Sequence, residues 1–276
     1  MSTYIIAEAG VNHNGSRARA ADLVRAAKAA GADAVKFQTF TAARLARRRA
    51  PKAEYQQKTT GRGESQFEML KRLELPDQAF LELRDLCAEE GIDFLSSPFD
   101  SESLALLVEL GVTRVKLGSG ELTNAPLLYD AAATGLPLIL STGMSTLGEI
   151  EEALGVLALG IRGDRPTSRA AFRAAFREAR AAPQLTERVT LLHCVTQYPT
   201  PPEEVQLRAM ATIRRAFEVA VGYSDHTLGI GVPIGAVALG ATMIEKHFTL
   251  DRTLPGPDHA ASLEPDELGQ MVTEIR

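Results

Sequence analysis

The chain alternates short apolar runs with longer segments of helical periodicity over most of its 276 residues. Short apolar runs that end at turn-forming residues predict buried strands, and apolar positions three and four residues apart predict amphipathic helices. Eight such runs predict strands at residues 4–8, 33–38, 93–97, 114–119, 136–141, 189–194, 219–224 and 242–248. Between them, segments such as 16–31 and 77–91 have helical spacing, begin at Ser or Asp and end at Gly.

Eight strand–helix units within about 250 residues match the size of a (β/α)₈ barrel, the TIM barrel. We therefore predict an α/β fold in which residues 1–276 form a single TIM-barrel domain. An open, doubly wound sheet is the alternative, because short apolar runs do not distinguish a closed sheet from an open one. The first strand is not followed by a G-x-G-x-x-G turn, which argues against the dinucleotide-binding form of that sheet.

Two segments interrupt this alternation. Residues 41–76 form a long polar connection after the second strand, with "KTTGRGES" (58–65) as its flexible part. In a barrel this connection lies on the catalytic face, so we predict a mobile lid or a substrate loop. Residues 161–188 form a charged insertion with helical spacing, which predicts a decorating helix or a contact surface.

Composition excludes several classes of function. The net charge of −5 gives no electrostatic case for a nucleic-acid or anionic-membrane partner, and the basic run "RLARRR" (44–49) is interpreted as a solvated helix face. Two cysteines, Cys87 and Cys194, are too few for a disulfide framework or a thiolate metal site. The N-terminus lacks the pattern of a signal peptide, and no apolar run approaches the ~20 residues of a membrane span. A cytoplasmic protein is therefore expected.

Polar side chains collect where the predicted strands end, and in a barrel these ends meet at one mouth. They are Glu8, Lys36, Gln38, Ser96, Ser97, Lys116, Ser119, Glu121, Ser141, Thr142, His193, Thr196, Tyr198, Ser224, Asp225, His226, Glu245 and His247. Lys36 and Lys116 lie inside apolar strands, where an ammonium is costly unless it meets an anion. Strand alternation could instead direct them outward between helices. Their matching positions favour an anion in the mouth, with serine hydroxyls completing a cradle for phosphate or carboxylate.

The histidines add a candidate metal site. All five, His13, His193, His226, His247 and His259, fall at strand ends or in the loops after them. A single histidine there is more often structural. His226 and His247, however, end the seventh and eighth strands, which are neighbours in a barrel, so together they could share a divalent metal with Glu8 or Glu245 nearby. Imidazole, carboxylate and water ligands leave Mn²⁺, Mg²⁺, Fe²⁺ and Zn²⁺ open.

Runs of sequence across nearly the whole chain also carry a family resemblance. They are "IIAEAGVNHNG" (5–15), "GADAVKFQT" (31–39), "FLSSPFD" (94–100), "KLGSGELTNAPLL" (116–128), "ILSTGM" (139–144), "LLHCVTQYPTP" (191–201), "VGYSDHTLGI" (221–230) and "GATMIEKHFTLDRTLPGPDHAASLEP" (240–265). In this order they resemble the sialic acid synthase family, phosphoenolpyruvate-dependent enzymes that make nine-carbon 2-keto acids. The resemblance implies condensation of phosphoenolpyruvate with N-acetylmannosamine or a 2,4-diacetamido-trideoxyhexose, and release of phosphate by C–O cleavage.

The resemblance also implies a role for each site residue. His226 and His247 would hold a divalent cation, usually Mn²⁺, that polarises the sugar aldehyde, and Glu8 would activate water. The positions that match the phosphoenolpyruvate site are Lys36, Ser97, Lys116, Ser119, Ser141 and Ser224. Those that match the sugar site are Gln38, Tyr198 and Asp258, and the matching acidic residues are Glu8, Glu121 and Glu245.

The sequence departs from the family in two places. Thr196 stands where the well-known N-acetylneuraminate synthases have Asn, so its substrate contact is an open question. Members of the family usually continue into an antifreeze-like domain, which in the dimer supplies an arginine to the partner's sugar site. The resemblance thus implies a homodimer, and since the sequence ends before such a domain, it is either part of a longer chain or holds the sugar differently.

Two other functions fit the same residues. A barrel aldolase would use Lys36 or Lys116 to form a Schiff base with pyruvate, although the histidine pair argues against it. An inactive sugar-binding barrel would keep the fold without turnover. The role of Asp225, which either orients a neighbour or closes a turn, is not assigned.

Overall fold

The computed structural model describes residues 3–61, 63–165, 168–180 and 183–276. Within these ranges eight parallel strands form one sheet in the order β3-β2-β1-β8-β7-β6-β5-β4. The strands are Tyr4–Gly10 (β1), Ala34–Thr39 (β2), Asp93–Pro98 (β3), Val115–Leu117 (β4), Leu138–Ser141 (β5), Val189–His193 (β6), Ala220–Asp225 (β7) and Met243–His247 (β8). The first and last strands pair with each other, and β3 and β4 pack side by side, so the sheet closes almost completely. This confirms the predicted barrel and excludes the open sheet.

Helices surround this barrel and connect its strands. In the described part of the chain the α-helices are Arg17–Ala29 (α1), Ala42–Leu45 (α2), Glu54–Thr60 (α3), Gln66–Leu73 (α4), Asp77–Glu90 (α5), Ser101–Glu109 (α6), Ala125–Ala133 (α7), Leu147–Arg162 (α8), Arg169–Ala179 (α9), Pro183–Arg188 (α10), Arg208–Phe217 (α11), Gly231–Ala238 (α12) and Pro265–Ile275 (α13). Short 3₁₀ helices lie at Ser119–Glu121, Pro202–Glu204 and His259–Ala261. Within the described ranges, no helix has the length and hydropathy that a membrane span requires.

The two-residue period of the strands separates an outer core from the barrel interior. Residues of one parity, such as Ile5, Val35 and Leu117, pack between the strands and the helices. The other parity begins with an apolar layer inside the barrel, formed by Ile6, Ala34, Leu95, Ile139, Leu192 and Met243. Two residues further along these strands, the interior becomes polar, at Glu8, Lys36, Ser97, Ser141, Cys194 and Glu245. Lys36 is therefore directed into the barrel and not outward between helices.

The two interrupting segments are largely helical where they are described. Residues 41–76 contain α2, α3 and α4, and we refer to them as the lid. Within the lid, the buried Lys52 ammonium donates to Thr60 Oγ1 at 2.8 Å and forms an ion pair with Glu64 Oε1 at 3.3 Å. These contacts link Lys52 to two residues of the stretch 58–65, of which Arg62 lies outside the described residues.

The insertion at 161–188 contains the end of α8 and all of α9 and α10. Helix α9 packs closely on α8 at Gly155, where an added Cβ would lie 2.0 Å from the Phe172 carbonyl oxygen. Residues 166–167 and 181–182 of the insertion lie outside the described ranges.

Candidate functional site

Two adjoining cavities open at the carboxyl ends of the strands. The inner chamber, about 340 Å³, lies among the strand ends, and the outer chamber, about 310 Å³, extends from them to the underside of the lid. The residues predicted for the anion and metal sites line the inner chamber: Glu8, Lys36, Ser97, Lys116, Ser119, Ser141, Thr196, Ser224, His226, Glu245 and His247. The residues predicted for the sugar site, Gln38, Tyr198 and Asp258, line the outer chamber. Gln38, Tyr55, Phe99, Tyr198 and His247 line both.

Strand register brings four charged side chains together in the inner chamber. Glu8 lies opposite Lys36 across the β1–β2 ladder, and the Lys36 Nζ atom is 2.6 Å from Glu8 Oε2 and 3.6 Å from Glu245 Oε2. Lys36 Nζ also donates to Ser97 Oγ at 3.1 Å. On the far side, Lys116 Nζ is 3.4 Å from Glu245 Oε1. All four charged side chains are buried, so their mutual interactions are screened little by water.

The pKa values of the two carboxyl groups, Glu8 and Glu245, are shifted in opposite directions. Burial raises the pKa of Glu8, and the negative charge of Glu245 adds to this rise, which Lys36 offsets only in part. Burial also raises the pKa of Glu245, but Lys116, Lys36 and a hydrogen bond from Ser224 outweigh it and hold the value at about 2. Two nearby carboxyl groups whose pKa values differ in this way are typical of a proton carrier beside a permanent anion. Glu8 is the candidate proton carrier.

Three serines place hydroxyl groups around these charges. Ser224 Oγ donates to Glu245 Oε1 at 2.8 Å. Ser119 Oγ accepts the Gly143 backbone N–H at 2.9 Å and lies 3.2 Å from Cys194 Sγ. The Ser141 hydroxyl is buried and, among the described residues, has no hydrogen-bond partner. A buried unpaired hydroxyl is costly, which favours a polar ligand at this point.

The His226 and His247 rings lie side by side, with centroids 5.6 Å apart. His226 Nδ1 donates to the Val195 carbonyl oxygen at 2.5 Å, which leaves Nε2 with its lone pair. His247 Nδ1 is buried without a hydrogen-bond partner in the described part of the chain. Burial lowers the pKa of both rings and keeps them neutral, the state in which imidazole binds a metal. The pair therefore fits a divalent cation.

This pair would need further ligands from outside the protein. Among the described residues, no group of three or more His, Cys, Asp or Glu side chains is arranged as a metal site. Water or substrate oxygens would have to complete the coordination of an ion held by two imidazoles.

Stacked aromatic rings connect the lid to the histidine pair. Tyr55 on α3 stacks on Tyr198 at 5.0 Å between centroids, and Tyr198 lies 4.1 Å from the His226 ring. Burial and then the negative charge of Glu8 raise the pKa of Asp258, which lines the outer chamber, to about 7. Asp258 is therefore only partly ionised near neutral pH, and no Lys or Arg of the described residues lines this chamber.

Some predicted residues lie away from both chambers. The Glu121 carboxylate accepts a hydrogen bond from Asn124 Nδ2 at 2.6 Å and lines neither cavity. His193 Nε2 lies 3.0 Å from the Val205 carbonyl oxygen. Asp225 faces the helix layer, where it forms a fully buried ion pair with Lys246. These contacts are structural.

Sequence reasoning missed several residues that line the chambers. Tyr55 and Gln66 come from the lid, and Phe99 and Met144 come from loops. The lid was expected over the mouth, but an isolated Tyr or Gln in a polar segment gives no local sign of which side chain faces inward. The sequence does indicate Cys194, because it lies two residues after Leu192 and its side chain should therefore face the barrel interior as well.

The chain is similar to synthases of legionaminic and N-acetylneuraminic acids. It is 50% identical over 274 residues to the N,N'-diacetyllegionaminic acid synthase of Campylobacter jejuni, an alignment that covers 99% of this chain and 75% of the relative. It is 46% identical over 276 residues to the enzyme of the same name from Legionella pneumophila, covering 100% of this chain and 72% of the relative.

A solved structure and a family profile agree with these relatives. The N-acetylneuraminic acid synthetase of Leptospira borgpetersenii, solved in complex with citrate, superposes with a TM-score of 0.81 at 34% identity, covering 100% of this chain and 83% of that one. The NeuB family profile matches residues 23–276. The chain therefore belongs to the NeuB family, the sialic acid synthases that its sequence resembles.

Proposed function

We propose that this protein condenses phosphoenolpyruvate with an open-chain N-acylhexosamine and releases phosphate, forming a nine-carbon 2-keto sugar acid. The sugar is N-acetylmannosamine or a 2,4-diacetamido-trideoxyhexose. The observation that carries this proposal is the pairing of two chambers: a lysine-lined one for a small, highly charged anion, and one that no Lys or Arg of the described residues lines, for a sugar. The names of the two legionaminic acid synthases support the product class.

The inner chamber suits phosphoenolpyruvate because its two ammonium groups lie on opposite sides of Glu245. Lys36 and Lys116 would pair with the phosphate and the carboxylate, and the unpartnered Ser141 hydroxyl would donate to one of them. Charge-assisted hydrogen bonds in a buried site are worth more than the same bonds in water. The bound anion would be fixed with its methylene carbon towards the outer chamber.

The reaction then needs one new C–C bond and one proton acceptor. The methylene carbon of phosphoenolpyruvate attacks the sugar aldehyde carbon, and water adds to the cationic carbon left behind. Glu8 takes the proton from that water, a role that its raised pKa suits. The C–O bond to phosphate breaks, its electron pair leaves with the phosphate, and the added hydroxyl passes its proton to that phosphate as the carbon becomes a ketone. The proton that Glu8 took from the water ends on the former aldehyde oxygen, which becomes a hydroxyl group. Lys36 and Lys116 stabilise the negative charge on the departing phosphate.

His226 and His247 would hold a divalent cation, Mn²⁺ in this proposal, with Mg²⁺ or another divalent ion as the alternatives. The lone pair of His226 Nε2 and the unpartnered Nδ1 of His247 support this role. When bound, the ion would act as a Lewis acid on the aldehyde oxygen.

The homodimer and the cytoplasmic location stay predictions. A partner chain at the mouth is supported by exposed apolar side chains on its rim. Met144, Leu147 and Leu228 are 75%, 46% and 62% exposed. Large exposed apolar side chains in one region are typical of a protein–protein contact.

The direct test is phosphate release. The full chain with Mn²⁺ and phosphoenolpyruvate is expected to release one phosphate per sugar consumed, with N-acetylmannosamine or with 2,4-diacetamido-2,4,6-trideoxymannose. Omitting the sugar is the control, and no release is expected there. Absence of sugar-dependent release with both sugars would reject the synthase proposal in favour of the inactive binding barrel.

The histidine pair predicts a loss of metal binding. His226→Ala and His247→Ala are each expected to weaken Mn²⁺ binding by at least about 100-fold, since a direct ligand matters at least as much as the residues around it. Calorimetry and the electron paramagnetic resonance signal of bound Mn²⁺ measure this without turnover. His193→Ala is the matched control, because His193 ends β6 but bonds to the Val205 carbonyl away from the chambers. Unchanged Mn²⁺ affinity in both variants would remove the metal from the proposal.

A further inference from the structure

The outer chamber has a wall that the residues predicted for the sugar site do not account for. Gln38, Tyr198 and Asp258 lie on its strand side. The opposite wall belongs to the lid, whose contributing side chains are Leu45, Tyr55, Gln56, Gln66, Met69, Leu70 and Leu73. At about 310 Å³ the chamber is at the lower end of the range for small-molecule sites, so one sugar would contact both walls.

Two amide side chains on the lid wall differ in their hydrogen bonding. Gln56 is occupied: its Oε1 accepts the Ala53 N–H at 3.0 Å, and its Nε2 donates to Tyr55 Oη at 3.3 Å. Gln66, at the start of α4, makes no side-chain hydrogen bond within the described residues. Its amide therefore has one donor group and one acceptor free to meet a ligand.

The surroundings of Gln66 define the chemistry of that ligand. The neighbouring wall residues from α4 are apolar, and no Lys or Arg of the described residues lines this chamber. A free amide beside an apolar surface complements an acylamino group, whose N–H and carbonyl pair with the amide while its methyl packs on the leucines. A sugar phosphate would find no cation here.

We propose that Gln66 is a specificity-determining residue that recognises a second acylamino group on the sugar. The preferred substrate class is then a 2,4-diacetamido-2,4,6-trideoxyhexose over N-acetylmannosamine, whose corresponding hydroxyl cannot reach as far. The C6 methyl group of the trideoxy sugar also suits the apolar wall of Leu70 and Leu73 better than a hydroxymethyl group does. This inference rests on the proposed function and deepens it at the outer chamber.

The test compares two sugars in Gln66→Met, which keeps the side-chain length and removes both hydrogen-bonding groups. We expect kcat/KM for the diacetamido sugar to fall about tenfold through KM, the effect of one lost substrate hydrogen bond, and kcat/KM for N-acetylmannosamine to stay within about twofold. Gln66→Ala should change the ratio in the same direction. Gln270→Met is the matched control, because Gln270 lies on the exposed face of α13 and bonds to Glu274.

The outcomes separate this inference from the proposed function. If the unmodified chain turns over a sugar but Gln66→Met lowers kcat/KM for both sugars equally, or for neither, the specificity role of Gln66 is overturned and the synthase function stands. If the unmodified chain releases no phosphate with either sugar, the proposed function itself fails. A preference of the unmodified chain for N-acetylmannosamine would also overturn the inference.

Discussion

Replacing Lys116 with Met is expected to lower kcat/KM for phosphoenolpyruvate by about 10²- to 10³-fold, the cost of removing one fixed electrostatic group from a water-excluded site. The Lys116 ammonium is buried, 3.4 Å from Glu245 and on the opposite side of that carboxylate from Lys36. Met preserves most of the side-chain volume, so the loss should reflect charge. The measurement is the rate of phosphate release at varied phosphoenolpyruvate concentration.

The same substitution should also alter the remaining charges. Lys116 is one of the two lysines that lower the pKa of Glu8, so its removal should raise the pKa of this proposed base further and move the acid limb of the rate profile upward. Lys28→Met is the matched control, because Lys28 lies on α1, where its Nζ bonds to the Gly91 carbonyl far from the mouth. Less than a threefold change in Lys116→Met would contradict the anion role.

The aldolase alternative predicts a different result for the same variant. A Schiff-base lysine would be trapped by pyruvate and borohydride in the unmodified chain and not in Lys116→Met. Burial lowers the pKa of Lys116, and Glu245 opposes this only in part, so this ammonium loses its proton more easily than that of a free lysine. We nevertheless expect no trapping in either, because the neighbouring His226 and His247 rings fit a metal-dependent site rather than a Schiff-base aldolase. A covalent adduct on Lys116 or Lys36 would replace the synthase proposal with the aldolase.

The barrel and most of its mouth could be predicted from the sequence, because both follow from the alternation of side chains between the two faces of a strand. Once Ile6 and Leu95 are assigned to the interior, Glu8 and Ser97 must follow them towards the strand ends. The order of strands around a barrel then fixes which ends are neighbours, as for His226 and His247. Predicting these residues therefore required only the assumption of a closed sheet, and no knowledge of individual side-chain contacts.

The lid could not be predicted to the same depth. Its helices are short, and α3 buries no residue completely, so hydrophobic spacing gives a weak signal there. Contacts far apart in sequence place Tyr55 over the mouth, above all its stacking on Tyr198. Such a contact depends on the folded barrel beneath it. The prediction of a lid was thus within reach, and the identity of its inward side chains was not.

The structural role of Asp225 was not predicted, although the sequence contains a pattern that indicates it. In "IEKHF", Glu245 and His247 face the interior, so Lys246 between them must face the helix layer. An ammonium there needs a buried anion. Asp225 is the residue opposite Lys246 in the β7–β8 register, and it has the same outward parity between Ser224 and His226. Pairing the two strands would have assigned it.

Lys246→Met is expected to lower the free energy of unfolding by about 3–5 kcal/mol, because it leaves the Asp225 carboxylate buried without its counter-charge. Both side chains are completely buried, and the Lys246 ammonium also donates to the Thr227 carbonyl. Asp225 in turn accepts hydrogen bonds from the Thr227 hydroxyl at 2.8 Å and the Thr227 N–H at 3.2 Å, so the loss extends to the loop after β7. Urea unfolding measures the change.

The double variant Asp225→Leu/Lys246→Met separates charge burial from packing. Replacing a buried ion pair by apolar side chains of similar size is often close to neutral, so the double variant should be more stable than Lys246→Met alone. Its Mn²⁺ binding should nevertheless be weaker than that of the unmodified chain. The pair joins β7 to β8 one residue before His226 and His247, whose rings lie 5.6 Å apart, so we expect its loss to loosen the relative placement of the two imidazoles. A double variant as unstable as the single one would show that Lys246 acts through packing, and unchanged Mn²⁺ affinity would show that the histidines are positioned independently of this pair.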